Sequence, residues 1–291
     1  MPEGDAVWRA ARLLHDALAH HAITEWELRW GHLGASDKRG RTTLEVVARG
    51  KHLLHRLDDG STLHTHLRMD GRWAVTPVRS GVGASGVGAS ASGGSGSGGW
   101  VARRPPRGRG TASDPTIRVI VGTAERTAIG RRLGMVDLVP TDREHELVGH
   151  LGPDLLGDDW DEEEAVRRLA SHPDQPLGAA LLDQSNLAGI GTMWAAEICF
   201  LEKLSPWLTV GTLDEATLAA AVDRAHRLLR GTLAFRSSVS TGNWRDPLYI
   251  YGKPGRPCPR CATPLTKSSI GEAPQQRELY FCPRCQPLPS S

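Results

Sequence analysis

The clearest chemistry in this 291-residue chain sits near its end, where Cys258-Pro-Arg-Cys261 and Cys282-Pro-Arg-Cys285 are separated by twenty residues. Two such CxxC knuckles supply four thiolates, the donor set of a tetrahedral Zn2+. Protein then fills every coordination position, so the spacing predicts one structural ion and no open site for catalysis. Two disulfides are the alternative, and they need an oxidising compartment of which the sequence gives no sign. A segment this short cannot bury a core of its own, so the metal is expected to fold it. Arg260, Arg277 and Arg284 decorate the module and could touch phosphates. The fifth cysteine, Cys199, lies in an apolar helical stretch and reads as a small core residue.

A second constellation spans Leu181–Phe200, LLDQSNLAGIGTMWAAEICF. Gly189 and Gly191 let the backbone approach a partner closely, and they expose the N–H groups that open the helix from Thr192. A helix N-terminus of this kind attracts phosphate. The alternative is an ordinary helix–turn–helix corner whose glycines serve packing.

Stepwise periodicity supplies the elements that would carry these groups. Ala6–His20 has helical spacing of apolar residues. Strand-like runs follow at Ile23–Trp30, Thr43–Val47, His52–Leu57 and Ser61–Leu67, with Asp58-Asp59-Gly60 as a hairpin turn. Trp73–Val75 and Ile117–Val121 add further strands, so the first part of the chain reads as a β-sandwich or barrel. Ser80–Gly99 contains only Gly, Ser, Ala and two Val, and cannot bury a core. Beyond about Pro140 the pattern turns helical, at Trp160–Ser171, Leu177–Gln184, Thr192–Leu201 and Leu213–Leu229.

The net charge of +2 implies little, but its distribution is uneven. Residues 100–132 hold eight Arg against Asp114 and Glu125, residues 133–175 hold twelve acids against three Arg, and residues 245–291 hold seven basic residues against three acids. Two basic zones flanking an acidic one suit a polyanion bound by separate segments, although charge blocks are also common on solvated faces. No apolar run approaches the roughly 20 residues of a membrane span. The start of the chain does not read as a signal peptide. A soluble, cytoplasmic, monomeric protein without a membrane partner is the expectation.

Three segments together, MPEGD, LLDQSNLAGIG and the cysteine module with QQRELYFCPRCQ, resemble the Fpg/Nei family of DNA glycosylases. Arg49–Leu54 (RGKHLL) and His64–Gly71 (HTHLRMDG) also look like that family, and the likeness runs in order from residue 2 to residue 286. PEG after the first Met is more similar to the endonuclease VIII branch. The resemblance implies an α+β multidomain fold. Residues 1–139 would form a β-sandwich with a flanking helix and a flexible insert at 80–110, residues 140–244 a helix-two-turn-helix domain, and residues 245–291 a zinc finger. It implies a bifunctional DNA glycosylase/AP lyase of base excision repair. Its partner would be DNA containing oxidised bases, pyrimidines first, or abasic sites, and its cofactor one structural Zn2+. A catalytically inactive damage-binding protein on the same scaffold is the alternative, and Pro2, Glu3 and Lys51 argue against it.

Roles follow from the same resemblance. With Met1 removed, Pro2 carries a secondary amine, whose ordinary pKa of about 7.7–8 leaves a useful fraction neutral. It is the implied nucleophile, with Glu3 as general acid/base and Lys51 beside a phosphate. Met69 and Leu133 are the implied wedges that fill the gap left by an extruded base, Arg131 meets the orphan base, and Arg277 clamps a phosphate. Gly191 and Thr192 stand at the phosphate-facing helix start. Thr192 replaces the Asn usual in the family, and Asp5-Ala6 departs from its Pro-Glu, so the resemblance implies no catalytic role for Asp5.

Overall fold

The computed structural model describes residues 2–78, 114–273 and 276–289. The insert expected at 80–110 lies outside the described residues. Helix α1 (Gly4–Leu18) buries Val7, Ala11, Leu14 and Leu18, the stripe that its spacing predicts, and begins two residues earlier than expected. It packs on the strand Thr43–Arg49 at one end of two four-stranded antiparallel sheets.

One sheet runs β2 (Thr43–Arg49), β3 (His52–Leu57), β4 (Ser61–His66), β8 (Met135–Pro140). The other runs β1 (Glu25–Leu28), β6 (Ile117–Gly122), β7 (Arg126–Arg131), β5 (Arg72–Pro77). Trp26, Leu53, Leu57, Leu63, Trp73, Val119 and Val121 fill the space between them. The α+β sandwich is therefore as the sequence implies. Strands β7 and β8 add to the strands read from the sequence, and the turn between them carries Arg132, Leu133 and Gly134.

Helices α2 (His145–Val148), α3 (Glu162–Ala170), α4 (Leu177–Leu182), α5 (Thr192–Leu201) and α6 (Glu215–Thr232) follow. Asp161 and Asp214 cap α3 and α6 by accepting the N–H groups of Glu164 and Thr217 at 3.0 and 2.8 Å. Helix α5 is apolar on nearly every side, and Trp194–Phe200 are all buried. A helix of that composition is stable only as the centre of a domain.

The chain ends in a hairpin, β9 (Thr266–Ile270) and β10 (Arg277–Phe281), beside the cysteines. Its Ile270, Leu279 and Leu265 join Leu177 and Phe200 in one hydrophobic cluster. The cysteine module thus shares its core with the helices, which explains how so small a segment can be held in place. Among the described residues no helix is long and apolar enough to cross a membrane.

Candidate active site

The start of the chain and the loop before α5 interlock. The Gly4 N–H donates to the Gly189 carbonyl at 2.8 Å, and a Cβ on Gly4 would lie 2.8 Å from the Gly189 Cα. Gly189 itself has φ +110, which suits glycine alone. Gln184 holds the loop by accepting the Gly189 N–H at 3.1 Å and donating to the Ile190 carbonyl at 2.9 Å. From the opposite side, Asp154 accepts the N–H of Gly50 at 2.7 Å, so the turn carrying Lys51 is pinned to the same loop. Local sequence signals meet here because glycine permits backbone to touch backbone.

Glu3 is 2% exposed and caps α5. Its Oε2 accepts the N–H groups of Gly191 (2.7 Å) and Trp194 (3.2 Å), and its Oε1 accepts that of Met193 (2.8 Å). A Cβ on Gly191 would lie 2.4 Å from the Glu3 carboxyl carbon, so glycine is required for this approach. The Gly191 N–H that the sequence offered to a phosphate is thus bonded to Glu3, the chain's own anion at this helix start. Thr192 follows Gly191 as the first residue of α5.

Burial and charge compete at Glu3. Loss of solvent raises its pKa most, while the Lys51 ammonium and the N–H groups of Met193 and Trp194 pull it back. Burial wins, and the group is pushed up to about 7. Lys51 donates to the Ile190 carbonyl, and burial lowers its ammonium to about 8, with Glu3 opposing that shift and Arg277 adding to it. Lys51, Glu3 and Arg277 are thus brought into one electrostatic neighbourhood from three distant parts of the chain.

Pro2 and Glu3 line a cavity of about 370 Å³ together with Ala6, Met69, Gly71, Met193 and Ser238. Met69 is 64% exposed at its rim. Leu133 is not a wedge: it is 3% exposed, packed among the sandwich residues and against Gly130. The apolar side chain turns inward because the β7–β8 turn crosses the end of the core. Arg131 pairs with Asp114 at 3.0 Å, whereas Arg132, with φ +50 at the tip of the turn, is exposed. Arg260 lies over the Phe200 ring and donates to the carbonyls of Phe200 and Leu201, capping the end of α5. Its guanidinium thus ties the cysteine module to the end of α5.

The sulfurs of Cys258, Cys261, Cys282 and Cys285 all lie within 4.8 Å of one another, with Cys258–Cys285 at 4.0 Å and Cys261–Cys282 at 3.5 Å. A disulfide requires about 2.05 Å, whereas four thiolates about 2.3 Å from one Zn2+ stand this far apart. Backbone N–H groups of Arg260 and Cys285 point at the Cys258 and Cys282 sulfurs at 3.4 Å each. Cys199, by contrast, is fully buried and its thiol is pushed up to about 12 by burial, so it is inert.

A β-sandwich and a helical domain meeting at a buried Glu3, with a four-cysteine module beyond, define a class of DNA-repair glycosylase. Residues 1–96 match the formamidopyrimidine-DNA glycosylase N-terminal domain, and residues 151–242 match the formamidopyrimidine-DNA glycosylase H2TH domain. The chain belongs to this family. It is 43% identical to the probable endonuclease 8 2 of Streptomyces coelicolor, covering 100% of this chain and 95% of that one. It is 33% identical to the DNA-(apurinic or apyrimidinic site) lyase Nei2 of Mycolicibacterium smegmatis, covering 98% and 99%. The fold is that of Lactococcus lactis formamidopyrimidine-DNA glycosylase, solved bound to abasic-site DNA, with a TM-score of 0.74 at 23% identity over 98% of this chain and 99% of that one.

Proposed function

We propose that the protein is a bifunctional DNA glycosylase/AP lyase of base excision repair, acting on oxidised bases, pyrimidines included, with Pro2 as its nucleophile. The observation that carries this reading is the pairing of Pro2 with Glu3, a carboxyl group of pKa about 7, in one cavity. A group half-protonated near neutrality is suited to give and take a proton.

The chemistry is as follows. The neutral Pro2 nitrogen attacks the sugar C1′, the bond from C1′ to the base breaks, and the base leaves with the bonding pair and takes up the proton that the Pro2 nitrogen loses. Glu3 gives its proton to the ring oxygen as the ring opens, and the amine becomes an iminium. That cation accepts the electron pair released when a base removes a C2′ proton, and the 3′ phosphate departs. Trapping tests this reading: borohydride should reduce the iminium and link the protein covalently to abasic DNA, whereas an inactive damage-binding protein would give no adduct.

Lys51 and Arg277 are like charges in one neighbourhood, an arrangement that an anion between them relieves. A DNA phosphate is the anion we assign there. Lys51→Ala and Arg277→Ala should each weaken DNA binding and flatten its salt dependence by about one phosphate contact. Lys51→Ala should also raise the Glu3 pKa further, because it removes the charge that holds it down. Thr192→Ala should cost little, since one short hydroxyl adds at most a single hydrogen bond where Lys51 and Arg277 bring charge. Binding titrations across a salt series check all three, and a Thr192→Ala loss equal to that of Arg277→Ala would contradict the assignment.

The four cysteines fit one structural Zn2+, which supplies cross-linking and no catalytic position. Metal analysis should return about one zinc per chain. Replacing Cys282 by Ser should weaken DNA binding and lower the melting temperature, because the cysteine module shares its core with α4 and α5. A protein purified gently without zinc would contradict this.

A further inference from the structure

Asp5 takes no part in the chemistry just described, yet it is fully buried beside it. Its Oδ1 accepts the indole N–H of Trp194 at 3.0 Å. Its Oδ2 accepts the Ser238 hydroxyl at 2.5 Å and the Arg9 guanidinium at 2.5 Å. These donors come from three separate elements: α1, the first turn of α5, and the segment after α6. Each borders the cavity that holds Pro2, and Ser238 is part of its wall. Three donors hold this carboxylate in one place and tie the three elements to it, since a buried charge is costly unless it is fully bonded.

We propose that Asp5 is a positioning residue, which fixes the Ser238 wall and the first turn of α5 around Pro2 and keeps a negative charge next to Glu3. The proposal rests on the glycosylase/lyase reading of the site. Through Trp194 it sets where the N–H groups of α5 meet the Glu3 carboxyl. Through Ser238 it sets the width of the cavity that an extruded base must enter. Its charge acts on Glu3 in the same direction as burial, raising its affinity for a proton. The other groups facing Glu3 are Lys51 from the β2–β3 turn and Tyr251 before the cysteine module, with Arg9 behind Asp5 and Arg277 beyond Lys51.

The two contributions separate by variant. Asp5→Asn keeps the size and an acceptor for Trp194 but removes the charge. In the full-length, zinc-loaded enzyme, its single-turnover base-release profile should move to lower pH by about half a unit, with affinity for abasic DNA within about twofold of wild type. Ser238→Ala changes one wall hydroxyl and no charge. It should lower base release several-fold without moving the pH profile, and leave cleavage of a pre-formed abasic site nearly unchanged, because no base then has to fit. A purely structural Asp5 would change melting temperature and amount of active enzyme but not the pH profile. Should Asp5→Asn fail to fold, Ser238→Ala still decides. The proposal is overturned if folded Asp5→Asn has the wild-type profile, or if Ser238→Ala releases bases like wild type. A wild-type enzyme that forms no borohydride adduct overturns the glycosylase/lyase reading instead.

Discussion

A single residue left in front of Pro2 by an uncleaved tag should abolish base release and borohydride trapping. An acylated proline nitrogen has no free electron pair to attack C1′ and cannot form an iminium. We expect a fall of about 10³-fold or more, the scale on which loss of a nucleophile is felt. DNA affinity should change by no more than about threefold, because the Lys51 and Arg277 contacts are untouched. The check is a pair of preparations, one with Pro2 exposed and one extended, assayed in single turnover on thymine-glycol DNA. Normal base release by the extended form would remove Pro2 from the mechanism. Substituting Pro2 by Gly is a weaker test, since another primary amine can then take its place.

The second large effect is expected at Glu3. Glu3→Gln has the right shape but cannot transfer a proton, and its amide N–H groups face the N–H groups of α5. Loss of a positioned general acid typically costs about 10²–10⁴-fold. The pH dependence should change in form as well. In the wild type, base release needs Glu3 protonated, which fails as pH rises through about 7. It also needs the Pro2 amine neutral, which improves as pH rises through its ordinary value of about 7.7–8. The product of the two is a bell with its maximum between about pH 7 and 8. In Glu3→Gln the limb that falls with rising pH disappears, and the residual rate should rise to a plateau. Rates measured from about pH 5 to 9 decide this, and a bell of unchanged shape in the variant would assign the acid to another group.

The difference between what the sequence announced and what it hid follows the range of the interactions. The cysteine pairs, the helix from Thr192 and the stripe of α1 are written in local spacing, and each lies where expected. Pro2, Glu3 and Lys51 were named through motifs, and they do converge. Glu3, however, caps a helix 188 residues away, and no local pattern carries that contact. Gly191 was read as part of a phosphate seat because a bare helix start attracts any anion, and the nearest anion turned out to be the chain's own. Leu133 shows the same limit in reverse. An apolar residue in a turn can cover a core or reach for a base, and only the packing around Gly130 and Trp73 decides. Arg260 looked like a phosphate ligand on charge alone, although its carbonyl partners lie at the far end of α5. Asp5 carried no signal at all, because its partners Trp194 and Ser238 are unremarkable residues until the fold brings them together.

The central claim is that the Pro2 nitrogen bonds to the sugar. Borohydride-trapped complexes on abasic DNA, digested with protease and nuclease, can be mapped by tandem mass spectrometry. The account predicts that the sugar remnant is on the N-terminal peptide, attached at the Pro2 nitrogen. An adduct on Lys51 or any other lysine, with Pro2 unmodified, would contradict it.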